Sequence, residues 1–339
     1  MNTLLNEDFL VAAENYAHVM NHVVLPWLKD REAVETVPGQ GDKPLYAVSY
    51  RADDSVGTVV LVHGFTENAF KYSELIFSLL HNHFSVVSYD QRGHGRSWRA
   101  EGISDPSVTH TDRFEDYVSD LKAICDHFLP SMPKPAFVFA HSMGGAVTSL
   151  FLEKYPAVFS AAVLCAPMIA PQTGGVPVTV AKSICGVAST FGRAKRHPFF
   201  MKSWSGPEDF ATSCATDPRR FAWYDAVKTS TEAFRNSVPS YRWTQESLAV
   251  TKKILAEGAP EKIACPVLLF TAEHDFSVEP GPQKSFIDRV PGGKHVFVKN
   301  ARHEIYRSVN EVFFPWWHDI LRYFAENGTK GTVPTVPKK

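Results

Sequence analysis

Short apolar runs alternate with helical patterns along most of the chain. The apolar runs predict buried strands at residues 46–50, 58–62, 85–89, 136–140, 161–164, 266–271 and 294–298. Apolar residues at helical spacing predict helices at 72–81 and 114–128 and an amphipathic helix through Phe9, Ala13, Tyr16 and Met20. Strands that alternate with helices are typical of a parallel sheet covered on both faces. The pattern therefore predicts an α/β, doubly wound fold.

One long segment, residues 169–262, interrupts this alternation. It contains helical fragments such as 218–227 but no strong strand pattern. We interpret it as a mostly helical cap inserted over the carboxyl edge of the sheet. Residues 1–168 and 263–327 then form the core, and the Gly-, Thr-, Pro- and Lys-rich residues 328–339 form a disordered tail.

Composition and charge narrow the class of protein. The chain has 339 residues and a formal net charge of -1, so nothing favours binding to nucleic acid. It holds no run of about 18 apolar residues that would span a membrane, and its acidic N-terminal segment is unlike a signal peptide. The five cysteines are widely spaced, which is typical of reduced thiols. We therefore expect a cytoplasmic protein.

The sequence Ala-His-Ser-Met-Gly-Gly at residues 140–145 joins a predicted strand to a helical pattern. A serine on such a turn is the nucleophile elbow of α/β-hydrolases, written G-x-S-x-G, with alanine here in place of the first glycine. The turn is so tight that only small residues fit two positions before and after the serine. Ser142 is therefore the candidate nucleophile, and the alternative is a serine that only caps a helix.

A serine nucleophile needs a base and an acid that orients the base. In α/β-hydrolases the order along the chain is serine, acid, histidine. Asp275 follows the strand predicted at 266–271 and is the candidate acid, with Glu273 as its competitor. The alternative is that both carboxylates only stabilise a turn. His303 follows the last predicted strand and is the candidate base.

The negative charge that develops during acyl transfer needs two backbone N–H groups. One is expected from Met143, the residue after the nucleophile. The other is expected from the loop that follows the strand at 58–62 and reads His-Gly-Phe-Thr-Glu-Asn. Gly64 permits a tight turn in this loop, which leaves the amide of Phe65 as the second candidate donor.

No cofactor or metal site is expected. A G-x-G sequence at residues 93–95 lacks a third glycine and is weak as a dinucleotide motif. We interpret it as a structural turn that Asp90 and Arg92 stabilise through charge-assisted hydrogen bonds. No spacing typical of metal ligands occurs in the sequence.

Together these motifs resemble the lysophospholipase L2 and monoacylglycerol lipase branch of the α/β-hydrolases, of the serine aminopeptidase S33 type. The matching segments are residues 63–65, 90–97, 112–117, 140–145 and 301–304. Alanine at position 140 is itself familiar in lysophospholipase L2-like proteins. The resemblance covers most of the chain, is weakest in the cap, and implies the α/β-hydrolase fold without a cofactor. It implies a triad of Ser142, Asp275 and His303 with oxyanion donors at Phe65 and Met143. The acid position varies within this branch, which leaves Glu273 open.

The expected function is that of a serine hydrolase acting on single-chain lipid esters. The substrate would be a lysophospholipid or a monoacylglycerol, cleaved through an acyl-enzyme on Ser142. Alternatives are a short-chain carboxylesterase, a thioesterase, a peptidase of the proline-iminopeptidase kind, or a binding protein without activity. The peptidase would need a cap carboxylate for the amine of its substrate, and the candidates are Glu208, Asp209, Asp217 and Asp225.

The cap is expected to select the substrate. Tyr241 and Trp243 are candidates for contact with the acyl chain, and packing within the cap is an equal alternative. A basic cluster in the cap is either a solvated face or a contact for anionic headgroups; its members are Arg193, Lys195, Arg196 and His197. We therefore expect peripheral contact of the cap with the inner face of the membrane.

Overall fold

A computed structural model describes residues 5–328 of the chain. The strands of its main sheet are β1 (Ala33–Pro38), β2 (Pro44–Tyr50), β3 (Gly57–Val62), β4 (Phe84–Tyr89), β6 (Ala136–His141), β7 (Ala161–Cys165), β9 (Val267–Ala272) and β10 (Lys294–Val298). Two short strands, β5 (Val108–Thr109) and β8 (Val238–Pro239), pair with each other outside this sheet. The strand order is β1-β2-β4-β3-β6-β7-β9-β10. β2 is antiparallel to both of its neighbours, and the other pairs are parallel.

Helices cover both faces of the sheet. The α-helices of the described residues are α1 (Tyr16–Val19), α2 (Leu25–Lys29), α3 (Ser73–His81), α4 (Glu115–Phe128), α5 (Met143–Lys154), α6 (Val178–Ala188), α7 (Pro218–Ser230), α8 (Tyr241–Ile254), α9 (Pro280–Ile287) and α10 (Asn310–Gly328). One apolar core contains α3 and α10, and the other contains α4 and α5. All residues of β3 and β6 are buried, as expected for strands covered on both faces. The doubly wound, mostly parallel sheet predicted from the sequence is thereby confirmed.

The N-terminal helix begins later than its hydrophobic spacing predicts. Phe9 has a φ of 60°, which excludes it from a helix, and its ring stacks on that of His81 at 4.6 Å. Helical structure begins at Ala13 and continues through short 3-10, α and π turns to the end of α2. The edge strand β1 has no signal in the hydrophobic pattern, because Val37 is its only buried residue.

Residues 169–262 leave the sheet after β7 and return to it at β9, and they carry α6, α7 and α8. The loop after β10 holds this segment against the core. The Arg302 guanidinium donates to the carbonyl of Ser213 at 3.0 Å, and the amide of Thr216 donates to the carbonyl of Arg307 at 3.2 Å. The segment predicted to form the cap is therefore attached beside the loop that contains His303.

Gly328, the first residue of the tail predicted at 328–339, is the last residue of α10, and the rest of that tail lies outside the described residues. Within residues 5–328, no helix combines the length and the apolar character needed to cross a membrane.

Candidate active site

Ser142 lies on a strained turn between β6 and α5. Its φ and ψ of 51° and -118° are left-handed, as a nucleophile elbow requires. The small residues after it are needed because α5 starts close to the sheet. A Cβ on Gly144 would lie 2.3 Å from the carbonyl oxygen of Val62, and one on Gly145 would lie 2.5 Å from Cβ of Pro167. The elbow predicted from the sequence is therefore present in the fold.

The three candidate triad residues meet above the carboxyl ends of β6, β9 and β10. His303 Nε2 lies 2.8 Å from Ser142 Oγ, and His303 Nδ1 lies 2.7 Å from Asp275 Oδ2. Because the carboxylate can only accept a hydrogen bond, Nδ1 carries the proton and Nε2 is free to accept the serine proton. Ser142 and His303 are only 7% and 5% exposed, so the arrangement is shielded from water.

The structure brings Asp275, and not Glu273, to the imidazole. Glu273 Oε2 instead accepts the amide proton of Asn300 at 2.8 Å, which pins the loop that leads to His303. The neighbouring His274 side chain is 62% exposed. Glu273 therefore stabilises the loop.

The surroundings of Asp275 favour the ionised form of its carboxyl group. Its Oδ1 accepts the amide protons of Ser277 and Val278 at 2.8 and 3.1 Å. Burial alone would raise the pKa of this carboxyl, but the facing His303 imidazole and the two amides hold the pKa below its usual value. A carboxylate held in this way can orient the imidazole and stabilise the imidazolium that forms during acyl transfer.

The two candidate oxyanion donors belong to segments next to the serine. The amide of Met143 is the first of α5, where no intrahelical acceptor is available. The loop after β3 reaches the nucleophile so closely that a Cβ on Gly64 would lie 3.1 Å from Cβ of Ser142. Within the described residues, neither the Met143 nor the Phe65 amide donates to a protein acceptor. Both amides are thus available to a ligand.

A buried carboxylate that the sequence analysis did not single out, Glu67, fixes this loop. One of its oxygens accepts from the amide of Gly64 at 2.6 Å and from the hydroxyl of Tyr72 at 2.6 Å. The other accepts from the Lys71 ammonium at 2.8 Å and from the hydroxyl of Tyr306. The only signal in the sequence is a Glu and a Lys four residues apart, which is common on helices.

Lys71 extends this cluster to the residue beside the base. Its ammonium also donates to Glu304 at 2.6 Å, and Glu304 in turn accepts from Arg307 at 2.6 Å. Burial opposes ionisation of Glu67, but Lys71 and then His141 outweigh it, so its pKa lies well below the usual range. Burial lowers the pKa of His141 to about 4 against the opposing charge of Glu67. The loop after β3, which holds the candidate oxyanion donor Phe65 and is termed the oxyanion loop, thus shares one ionised cluster with the loop that contains His303.

Two further segments brace the site. His63 Nε2 accepts the amide proton of Gln91 at 2.8 Å, and the Gln91 side chain donates to the carbonyl of His63 at 2.5 Å. Asp90 accepts the amides of Ala69 and Arg96, both at 2.7 Å. The Arg92 guanidinium donates two hydrogen bonds to the carboxylate of Asp120 in α4, at 2.5 and 2.7 Å. The structural interpretation of the G-x-G segment is confirmed.

The two aromatic cap residues predicted to contact the acyl chain have different surroundings. The Trp243 ring packs on that of Phe65 at 4.2 Å, and its N–H donates to the hydroxyl of Tyr117 at 3.1 Å. Tyr241 instead contacts the cap itself, since its hydroxyl accepts the amide proton of Phe199 at 3.3 Å. The structure therefore brings Trp243 to the loop after β3, whereas it places the hydroxyl of Tyr241 against the backbone of Phe199; acyl contact by either residue stays a prediction.

Within the described residues, one group of side chains outside the triad has a geometry that could hold a metal ion. Glu7, Asp8 and His318 are the one set whose ligand atoms lie close enough together to hold a cation, and the set includes no triad residue.

Comparison with known proteins gives a consistent result. Residues 53–310 match the family described as serine aminopeptidase, S33. The chain is 31% identical over 318 residues to lysophospholipase L2 of Escherichia coli strain K12, across 89% of this chain and 90% of that protein. It is 32% identical over 146 residues to a monoacylglycerol lipase of Mycolicibacterium smegmatis, across 42% of this chain and 48% of that protein.

Solved structures extend the comparison to the fold. A soluble variant of the Saccharomyces cerevisiae monoglyceride lipase, in complex with a substrate analogue, has a TM-score of 0.65 at 21% identity. The match covers 87% of this chain and 96% of that one. The α/β-hydrolase fold predicted from the sequence is thereby confirmed.

Proposed function

The chain belongs to the serine aminopeptidase S33 family, and we propose that it is a serine hydrolase that cleaves carboxylic esters of single-chain lipids. The observation that carries this proposal is the unbroken hydrogen-bond relay from Ser142 Oγ through His303 to Asp275. Such a relay makes a hydroxyl nucleophilic at neutral pH without a cofactor.

In the first half-reaction Ser142 Oγ attacks the ester carbonyl while His303 Nε2 removes its proton. The imidazolium then gives this proton to the leaving alcohol, and the acyl group remains on the serine. In the second half-reaction water attacks the acyl-enzyme, His303 again acts as base, and the fatty acid leaves. Asp275 stays ionised throughout and holds the imidazole in the productive tautomer.

The amides of Phe65 and Met143 stabilise the tetrahedral oxyanion in both half-reactions. A preorganised donor of this kind contributes about 3 kcal/mol in related sites. Because the amides are part of the strained elbow and the braced loop after β3, they need little reorganisation when the charge develops.

The substrate class is supported by the relatives. The Escherichia coli relative is a lysophospholipase L2, and the Mycolicibacterium smegmatis relative is a monoacylglycerol lipase. Both names refer to lipids with one acyl chain. The aromatic pair of Phe65 and Trp243 offers an apolar wall beside the oxyanion loop, which suits an acyl chain better than a charged group.

An aminopeptidase is less well supported, although the family carries that description. It needs an unengaged carboxylate in the cap for the amine of the substrate. The four candidates already have protein partners: Asp217 and Asp209 cap helices, Glu208 pairs with Lys228, and Asp225 accepts the amide of Glu208. We therefore assign the ester, and not the peptide, as substrate.

A panel of substrates tests the proposal. The purified chain should hydrolyse lysophospholipids or monoacylglycerols with long acyl chains faster than short-chain esters, acyl thioesters and amino-acid arylamides. Ser142→Ala should abolish this hydrolysis and labelling by a fluorophosphonate while leaving the melting temperature unchanged. Preferential cleavage of arylamides, short esters or thioesters would replace the proposal by the corresponding alternative. Undiminished turnover in Ser142→Ala would contradict the proposed mechanism.

Lipid esters gather at membranes, so we also assign this enzyme to the cytoplasmic membrane surface, where the cap makes peripheral contact with the inner face.

A further inference from the structure

The outer side of the cap exposes an unusual amount of apolar surface. Most of the large apolar side chains that are exposed in residues 5–328 lie between residues 176 and 200. Phe191, Phe199 and Phe200 are the most exposed, at 79%, 86% and 68%. Monomeric proteins rarely leave apolar side chains of this size together in water, so this surface needs an occupant.

The exposed apolar residues of helix α6 lie on one face of the helix. Val180, Ile184 and Val187 follow each other by four and three residues and therefore share one face, which is exposed. Cys185, on the opposite side, is the only buried residue of the helix. Gly186 lies so close to α8 that an added Cβ would approach the Gln245 amide to 3.3 Å. The apolar face therefore points away from the protein.

The distribution of charged residues indicates which kind of partner binds this surface. Between residues 172 and 206 the chain has no Asp or Glu, whereas it has five Lys and Arg residues, namely Lys182, Arg193, Lys195, Arg196 and Lys202. The whole chain, in contrast, has a formal net charge of -1. No acidic side chain within the described residues forms an ion pair with any of the five.

A cleft lies among these charges. It encloses about 780 Å³ between the loop at residues 102–105 and the segment 192–197, and Arg193, Arg196 and His197 line it together with Phe199. The carboxylate in this cleft, Asp105, is engaged by the hydroxyls of Ser107 and Ser203. The remaining lining suits a phosphate headgroup whose acyl chains lie against exposed phenylalanine rings.

We propose that the surface formed by α6, Phe191, Phe199, Phe200 and the cleft, termed the docking face, binds an anionic phospholipid bilayer. Apolar residues would enter the headgroup boundary while the cations meet phosphate groups, as in interfacial amphipathic helices. A second copy of the chain is the less suitable occupant, because a symmetric contact would bring the same positive charges together.

The docking face is placed to deliver substrate, and in this respect the inference rests on the proposed function. The chain that leads to it starts at the nucleophile, where the Met168 amide donates to the carbonyl of Ser142 at 2.8 Å. It then passes the acid, where the amide of Gln172 donates to the carbonyl of Ser277 at 2.9 Å. The segment that leads to the docking face is thereby hydrogen-bonded to the loops of both the nucleophile and the acid.

Flotation of the full chain with vesicles tests the proposal. Vesicles of phosphatidylcholine with phosphatidylglycerol should bind it about tenfold or more tightly than phosphatidylcholine alone, and high salt should weaken this binding. Arg193→Glu with Arg196→Glu, and separately Phe191→Asn with Phe199→Asn, should each reduce the binding by about tenfold or more. Both double variants should keep full turnover of a water-soluble short ester.

Matched controls lie outside the docking face. Lys252→Glu with Lys299→Glu makes the same change in net charge, and Val296→Asn with Phe297→Asn removes exposed apolar side chains of β10. These variants should bind like the wild type. Equal binding to neutral vesicles, or equal losses in the controls, would overturn the proposal. So would a docking-face variant that changes only the sedimentation coefficient of the free protein.

Binding is measured here without hydrolysis, so the two proposals fail separately. A chain that binds anionic vesicles through these residues but cleaves no lipid ester would keep the docking face and lose the proposed substrate. A chain that cleaves lipid esters with unchanged rates and binding in all docking-face variants would keep the function and lose the docking face.

Discussion

The carboxylate of Glu67 accepts the amide proton of Gly64 at 2.6 Å, one residue before the amide proposed to bind the oxyanion. The same carboxylate is bound by Lys71, which also binds Glu304 beside the catalytic base. The loop proposed to stabilise the transition state and the loop that carries the proposed base are therefore held by one buried group of charges. The hydrogen-bond partners of Glu67 are all protein groups, so we expect it to affect the reaction by positioning these loops, most directly through Gly64.

Glu67→Gln should lower kcat with little change in KM. The amide keeps the size of the side chain but replaces one acceptor oxygen by a donor, which would face the amide of Gly64 or the ammonium of Lys71. We expect kcat to fall about 10- to 100-fold, because an oxyanion donor is displaced only where charge develops. Steady-state kinetics with a soluble ester measure this, and Glu67→Asp should recover part of the loss.

Glu74→Gln is the matched control for this variant. Glu74 is also buried, and it accepts from the amide of Val11 at 2.9 Å and from the hydroxyl of Tyr16 at 2.8 Å. Its loss should lower the melting temperature but leave kcat within about twofold, since it is not hydrogen-bonded to the oxyanion loop. If both variants reduce kcat equally, Glu67 is a structural residue and does not position the loop.

Asp275→Asn should reduce kcat by about 10⁴-fold, because the amide favours the wrong tautomer of His303. Glu273→Gln retains an acceptor for the amide of Asn300 and should change kcat by less than about threefold. The comparison is made with a soluble ester at one pH. The reverse ranking of the two variants would transfer the acid role to Glu273.

Gly144→Ala should destabilise the protein by about 1–3 kcal/mol, because its Cβ would lie 2.3 Å from the carbonyl oxygen of Val62 and force α5 away from β3. Thermal or urea unfolding measures the change. Gly281→Ala is the control, since a Cβ there meets no atom within 4 Å. Equal stability of the two variants would mean that the start of α5 relaxes more easily than its packing suggests.

Acidification should destabilise the protein through His141. Its pKa is about 4 in the folded chain, whereas an unperturbed histidine titrates near about 6.5. Between these values the unfolded chain binds more protons than the folded chain, so the free energy of unfolding falls as the pH is lowered from about 6.5 to 4. The contribution amounts to at most about 3 kcal/mol.

Urea unfolding of His141→Gln across this pH range isolates the effect. The variant should lose less stability than the wild type between pH 7 and about 4, because it has no proton to take up on unfolding. His274→Gln, whose side chain is 62% exposed, should keep the pH dependence of the wild type. Parallel curves for wild type and His141→Gln would exclude His141 as the source.

The features that the sequence predicts best are those in which local geometry restricts the residue type. The elbow at Ser142 and the strands around it are predictable because a tight turn and full burial each restrict residue type within a few positions. Glu67 escapes such reasoning, since its four partners are brought together only by the fold. The different surroundings of Tyr241 and Trp243 escape it for a similar reason, because the side of α8 that faces the loop after β3 depends on tertiary packing. Phe9 fits the helical spacing but has a positive φ and packs against His81, a contact distant in the sequence.

The cap begins after β7 and ends at β9, and these two strands are neighbours in the sheet. An insertion whose entry and exit lie side by side can be replaced without changing the order of the strands beneath it. The contacts that constrain the exchange include those of Arg302 and Arg307 from the core, the hydrogen bond from Trp243 to Tyr117, and Arg220 of α7, which reaches the carbonyl of Val11 at 2.9 Å. Exchange of the cap between relatives, with these contacts kept, is therefore a direct route to new substrate preferences on one unchanged catalytic base.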